Sequence, residues 1–214
     1  PLLLGKHYGR CMVLQQVLRT ESEQLSGACI RARETSFSAL RVPRPATLDN
    51  GVHSIRPPGC TADMEERAAR RSVYFINGLS LSAGADPYVF QQARRVAEIY
   101  GQPAALIAND RGATVAHDLQ HCVAGKVSSR LGRSAEPTVD VVMNAIRRDA
   151  AARKRIKFVV FSQGALILRN ALDELRGACG EAQWKRDICP YLEVVDAFGS
   201  PVHSWPAGVH GVHF

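Results

Sequence analysis

The stretch from Lys157 to Arg176 constrains the fold more than any other part of the chain. Lys157-Phe158-Val159-Val160-Phe161 reads as a buried strand, and helical sequence runs from Gln163 to about Arg176. Only Ser162 stands between them. A strand that becomes a helix over one residue is the building unit of a parallel sheet covered by helices.

The sequence around this junction repeats the same alternation. Val73-Tyr74-Phe75-Ile76 is a short run of β-branched and aromatic residues ending at Asn77-Gly78, which predicts a strand. Asp86-Pro87 predicts a helix start, with Asp as N-cap and Pro at the first position. Val89, Ala93, Val96, Ala97 and Tyr100 give that helix an apolar face, and Gly101 closes it. Ala104 to Ala108 is the next expected strand, followed by Asn109-Asp110-Arg111-Gly112. Thr114 to Val127 and the segment opened by Pro137 read as helices, the second with Val139, Val142, Met143, Ile146 and Ala150 on one face. Leu192 to Val195 is the expected last full strand. Strands that are apolar on both faces and alternate with helices predict an α/β fold, with a mainly parallel sheet and helices on both sides. Ligand sites in such sheets gather at the C-terminal ends of the strands.

Residues 1–70 read differently from residues 71–214. Cys11 to Leu25 carries one possible helix. Pro43-Arg44-Pro45, Asp49-Asn50-Gly51 and Pro57-Pro58-Gly59 are turn signals with little periodic apolar sequence between them. Residues 26–65 are therefore expected to be irregular. Met64 to Arg71 reads as a short charged helix leading into the core, and the boundary between the two parts is set at residue 70.

Bulk properties narrow the function. The 214 residues are 46% hydrophobic and 22% charged, which suits one sizeable domain with its own core. No apolar run approaches the roughly 20 residues of a membrane helix, and Pro1-Leu2-Leu3-Leu4 lacks the flanks of a signal peptide. With Pro rather than Met first, the chain reads as a processed or excised piece, and no compartment is marked. The net charge of +7 is spread along the chain, which is not a nucleic-acid signature. Its densest run, Arg147, Arg148, Arg153, Lys154, Arg155 and Lys157, reads as a solvated helix end. Cys11, Cys29, Cys60, Cys122, Cys179 and Cys189 show no C-x-x-C spacing, so a zinc site is not expected and most are read as free thiols. His117 and His121 have helical i, i+4 spacing but no glutamate of a metalloprotease motif between them, and read as surface residues. Neither a phosphate-cradling glycine loop nor metal-ligand spacing is present, so no cofactor is implied.

The chemistry points back to Ser162. A sharp strand-to-helix turn holds a serine hydroxyl clear of the sheet, at a helix N-terminus whose free amides and dipole favour developing negative charge. Gly164 permits a close approach of helix to strand, and the amide of Gln163 is a candidate donor to an oxyanion. A second donor is expected from Gly78 or Leu79, in the loop after an earlier strand. The alternative for Ser162 is a structural helix cap.

Phe161-Ser162-Gln163-Gly164-Ala165 after a Phe-Val-Val strand resembles the Gly-x-Ser-x-Gly elbow of the α/β-hydrolase superfamily, with Val160 in place of the first glycine. Asn77-Gly78 is similar to the His-Gly or Asn-Gly loop of the same superfamily. The similarity covers about residues 72–201, and the combined run more distantly resembles uncharacterised chlamydial hydrolase-like proteins. The resemblance implies a serine hydrolase, lipase- or esterase-like, that acts on a small-molecule or lipid ester or thioester by acyl transfer. It also implies an acid and then a histidine downstream of the nucleophile. Asp196, followed by a loop resembling the one after the sixth strand of this fold, is the candidate acid. His203, His210 and His213 are candidate bases. Val209 to Phe214 is expected to begin a seventh strand, in which case the acid and base lie beyond Phe214 and the core is C-terminally incomplete. The competing reading is a non-catalytic interaction or effector domain that keeps the fold without a complete triad. Oligomeric state and substrate identity are not encoded in any motif recognised here.

Overall fold

A computed structural model describes residues 47–48, 52–78, 87–108 and 137–214. All of them lie in one compact unit, Ala46–Phe214. The strands are β1 (Thr47–Leu48), β2 (Val52–Ile55), β3 (Arg71–Ile76), β4 (Ala104–Ile107), β5 (Arg155–Phe161), β6 (Val195–Phe198) and β7 (Gly211–His213). The main helices are α1 (Ala62–Arg70), α2 (Pro87–Tyr100), α3 (Pro137–Ala151) and α4 (Gln163–Cys179).

The strands form one seven-stranded sheet in the order β1-β2-β4-β3-β5-β6-β7. From β4 to β7 every neighbouring pair is parallel, whereas β2 runs antiparallel to both β1 and β4. The fold is therefore α/β with a mostly parallel sheet. Parallel pairing puts the C-terminal ends of β3, β4, β5, β6 and β7 on one edge.

Alternation along the strands separates the two faces. Tyr74, Ile76, Phe158, Val160 and Ala197 point to one side, where they form a continuous core with Val139, Val142 and Ile146 of α3 and Leu168, Ala171 and Leu175 of α4. Lys157 and Asp196 point to the other side, where the Tyr100 hydroxyl of α2 donates to Asp196. On the α3 side Tyr74 donates to Asp149 at 2.7 Å, while Arg148 donates to the Tyr74 oxygen at 2.6 Å. Burial, with Asp149 beside it, holds the Tyr74 phenol well above the usual tyrosine range.

Several expectations shift. Val52–Ile55 is a strand, not part of an irregular connection; four residues are too few for periodicity to register, and its pairing with β4 creates it. The strand expected at Leu192–Val195 is β6, Val195–Phe198, and Leu192 makes only an isolated bridge to Ile156. Helical turns at Glu181–Gln183, Trp184–Ile188 and Cys189–Tyr191 occupy a stretch with no sequence assignment; Trp184 is fully buried and donates to the Ala207 carbonyl at 3.0 Å. The basic run is not one solvated surface either, because Lys157 is inside the sheet. The short helix before the core is α1, and the expected seventh strand is β7. Cys60, Cys179 and Cys189 are free thiols. The Cys11–Leu25 and Thr114–Val127 helices, Asp86, Asp110, His117, His121 and the other three cysteines lie outside the described residues.

Candidate active site

Ser162 sits where β5 ends and α4 begins, on the sheet edge formed by the strand C-termini. Its backbone has φ 50° and ψ −116°, a conformation L residues rarely occupy. A capping serine has extended backbone and spends its hydroxyl on a helix amide. Ser162 does neither: it makes no side-chain cap bond. The turn is instead locked by the backbone, with Ser162 N–H donating to the Phe198 carbonyl at 2.8 Å and Ala165 N–H donating to the Ser162 carbonyl at 3.1 Å.

Two glycines make this turn possible. Gly164 lies against β3 so closely that a Cβ there would overlap the carbonyl oxygen of Ile76 and stand 2.8 Å from that of Asn77. Gly78, the second residue after β3, packs against the serine itself: a Cβ on it would lie 3.0 Å from Ser162 Cβ and 3.1 Å from a Phe161 ring carbon. The sequence places Gly78 and Ser162 more than eighty residues apart, and the β3–β5 pairing brings them together. Gln163 is buried at the first position of α4, where backbone amides lack intrahelical acceptors. Leu79 lies outside the described residues. Val160, in place of a small residue, is fully buried opposite Ile76 and Ala197, and its side chain belongs to the α3–α4 core.

The other candidates lie farther off. Asp196 does not close its strand; it is the second residue of β6, two before Phe198. Its carboxylate is fully buried, 2.7 Å from Lys157 Nζ, and accepts from Tyr100. Lys157 also donates to the Val194 carbonyl. Sequence reading missed this cluster, although a lysine within an apolar strand is the signal that a buried carboxylate must answer it. His210 precedes β7, and its carbonyl accepts from Val195 at the start of β6, so it lies at the edge opposite Ser162. His213 ends β7 in register with Ala197, exposed, and its Nε2 accepts from Trp205 Nε1 at 3.2 Å. His203 is exposed in the loop after β6. That loop is tied to α4 by Arg169, which donates to the Ser204 carbonyl. Of the residues singled out in the sequence, the structure thus gathers Ser162, Gln163, Gly78 and Gly164 at one point, and His203 and His213 reach the same half of the molecule.

The strain at Ser162 gives a measurable expectation. Glycine occupies φ 50° without cost, whereas serine there stores about 1–3 kcal/mol. Glycine also loosens the unfolded chain by about 0.4–1 kcal/mol. Ser162→Gly is therefore expected to raise stability by about 1 kcal/mol in urea denaturation, and Ser162→Ala to leave it nearly unchanged. A destabilised glycine variant would show that the serine is held by contacts rather than by strain.

No protein-family model, curated protein or solved structure matches the chain.

Proposed function

We propose that this chain is a serine hydrolase of α/β-hydrolase type, acting on an ester or thioester by acyl transfer. The observation that carries the reading is Ser162 itself, held at φ 50° with its hydroxyl not used as a cap. Strain at a solvent-reaching serine between strand and helix is what a nucleophile elbow requires. In this reading Ser162 Oγ attacks the substrate carbonyl. The amide of Gln163, together with that of Gly78 or Leu79, holds the developing oxyanion; the contact between Gly78 and Ser162 supports that pairing. Proton transfer falls to a histidine, and His203 and His213 are the tail histidines on the appropriate half of the sheet. Asp196 serves as the buried partner of Lys157 rather than as the acid, because its carboxylate is already engaged below the strand ends. A lipid ester fits this chemistry as well as a small water-borne ester does.

Labelling with a fluorophosphonate probe tests the reading directly. The chain is expected to label, with the label mapping to Ser162 by mass spectrometry, and Ser162→Ala is expected to abolish it. A chain that stays unlabelled would favour the interaction-domain alternative. Label on any other serine would remove Ser162 from the mechanism.

A further inference from the structure

We infer that the N-terminal rim of the sheet, opposite Ser162, docks on an anionic phospholipid surface. Two neighbouring parallel strands start there with basic residues: Arg70-Arg71 lead into β3, and Arg153-Lys154-Arg155 lead into β5. Arg71 and Arg155 are direct partners in register. Like charges directly opposite one another are destabilising. A single carboxylate, Glu193, answers both, at 2.5 Å from Arg71 and 3.1 Å from Arg155. Arg70 pairs with Glu66 of its own helix. Arg147, Arg153 and Lys154 have no ion pair among the described residues, and Arg147 and Arg153 are exposed. Arg153 also takes φ 54° at the end of α3, where glycine or asparagine would be cheaper. The rim therefore keeps cations at positions where they cost stability.

The shape of the patch selects its partner. Arg155 is 72% and Arg70 79% exposed in their side chains, so the rim projects outward and does not enclose a small anion. Such a surface matches an extended array of negative charge. Val194, the exposed large hydrophobic among the described residues, directly follows Glu193, the carboxylate that answers both arginines, and so lies just inside the rim. An apolar tip among cations suits the headgroup region of a bilayer. Tyr100 is buried under Arg71, and Tyr191, just before the Leu192–Ile156 bridge, is partly buried against the core, so neither offers an open platform on which bases could stack. Because β5 runs from this rim to Ser162, a docked molecule would keep the Ser162 edge facing the solvent.

Cosedimentation of the full chain with vesicles tests the inference. Binding is expected to vesicles of phosphatidylcholine mixed with phosphatidylserine, not to phosphatidylcholine alone, and is expected to fall as salt is raised. Each cation near an anionic bilayer contributes about fivefold in partitioning, so Arg147→Gln, Arg153→Gln and Lys154→Gln combined should weaken binding on the order of a hundredfold. Circular dichroism checks that the triple variant folds, and the wild-type lipid and salt dependence tests the inference even if it does not. Equal binding to neutral vesicles, unchanged binding by the folded triple variant, or tighter binding to duplex DNA than to the anionic vesicles would each overturn it.

Discussion

Lys157→Met is expected to destabilise the domain by about 3–5 kcal/mol, the cost of leaving one half of a buried ion pair without its partner. Lys157 is 1% and Asp196 0% exposed, and their 2.7 Å contact joins β5 to β6 while Tyr100 brings in α2. Removing the lysine leaves a fully buried carboxylate without the cation that answers its charge. Removing both charges is a different matter, since an apolar pair of similar volume avoids the desolvation of either ion. Lys157→Met with Asp196→Leu should therefore recover most of the loss, less the hydrogen bond that Tyr100 donates to Asp196. Urea denaturation of the two single variants and the double variant gives the coupling energy directly. A single variant that loses less than about 1 kcal/mol would mean that water reaches the pair. The same experiment bears on function: a double variant that folds and labels with fluorophosphonate at the wild-type rate would establish that Asp196 holds the sheet and takes no part in acyl transfer.

Gly164→Ala is the second large effect, expected at about 3 kcal/mol, at the upper end of ordinary overpacking. The added methyl would meet the backbone oxygens of Ile76 and Asn77, not the movable end of a side chain. Ile76 is paired on both sides, to Ile107 and to Val160, so β3 cannot give way. The start of α4 must move instead, and with it Ser162 and its contact with Gly78. Fluorophosphonate labelling should fall along with stability. Gly177, thirteen residues later in the same helix, supplies the control: a Cβ there meets nothing within 4 Å. Gly177→Ala should stabilise by about 0.5–1 kcal/mol through helix propensity alone, with labelling unchanged. If both alanines behave alike in thermal denaturation, the tight approach of α4 to β3 is not what Gly164 provides.

Much of the α/β architecture was legible because its signals are local. The helices at Pro87, Pro137 and Gln163 announce themselves through apolar spacing, the first two also through proline at the first position, and β3, β4 and β5 through apolar runs. Ser162 was legible for the same reason, since one residue between strand and helix forces a sharp turn. Less local features were missed. The β2 strand has four residues and no alternation, and the ladder it forms with β4, far along the chain, makes it a strand. β6 lies three residues later than expected because Asp196 interrupts an apolar pattern, and nothing local shows that Lys157 and Tyr100 pair with it.

Local side-chain pattern was enough to assign the strands and helices at the centre of the chain, to make those strands parallel, and to put a serine at the sharpest turn between them. These follow from side-chain periodicity and from the steric demands of adjacent residues. The tertiary structure alone decided which distant residues meet: Gly78 against Ser162, Lys157 with Asp196, and Arg71 opposite Arg155. Strand order and register set those meetings, and they depend on packing a whole sheet between its helices, a quantity that no short window of sequence contains.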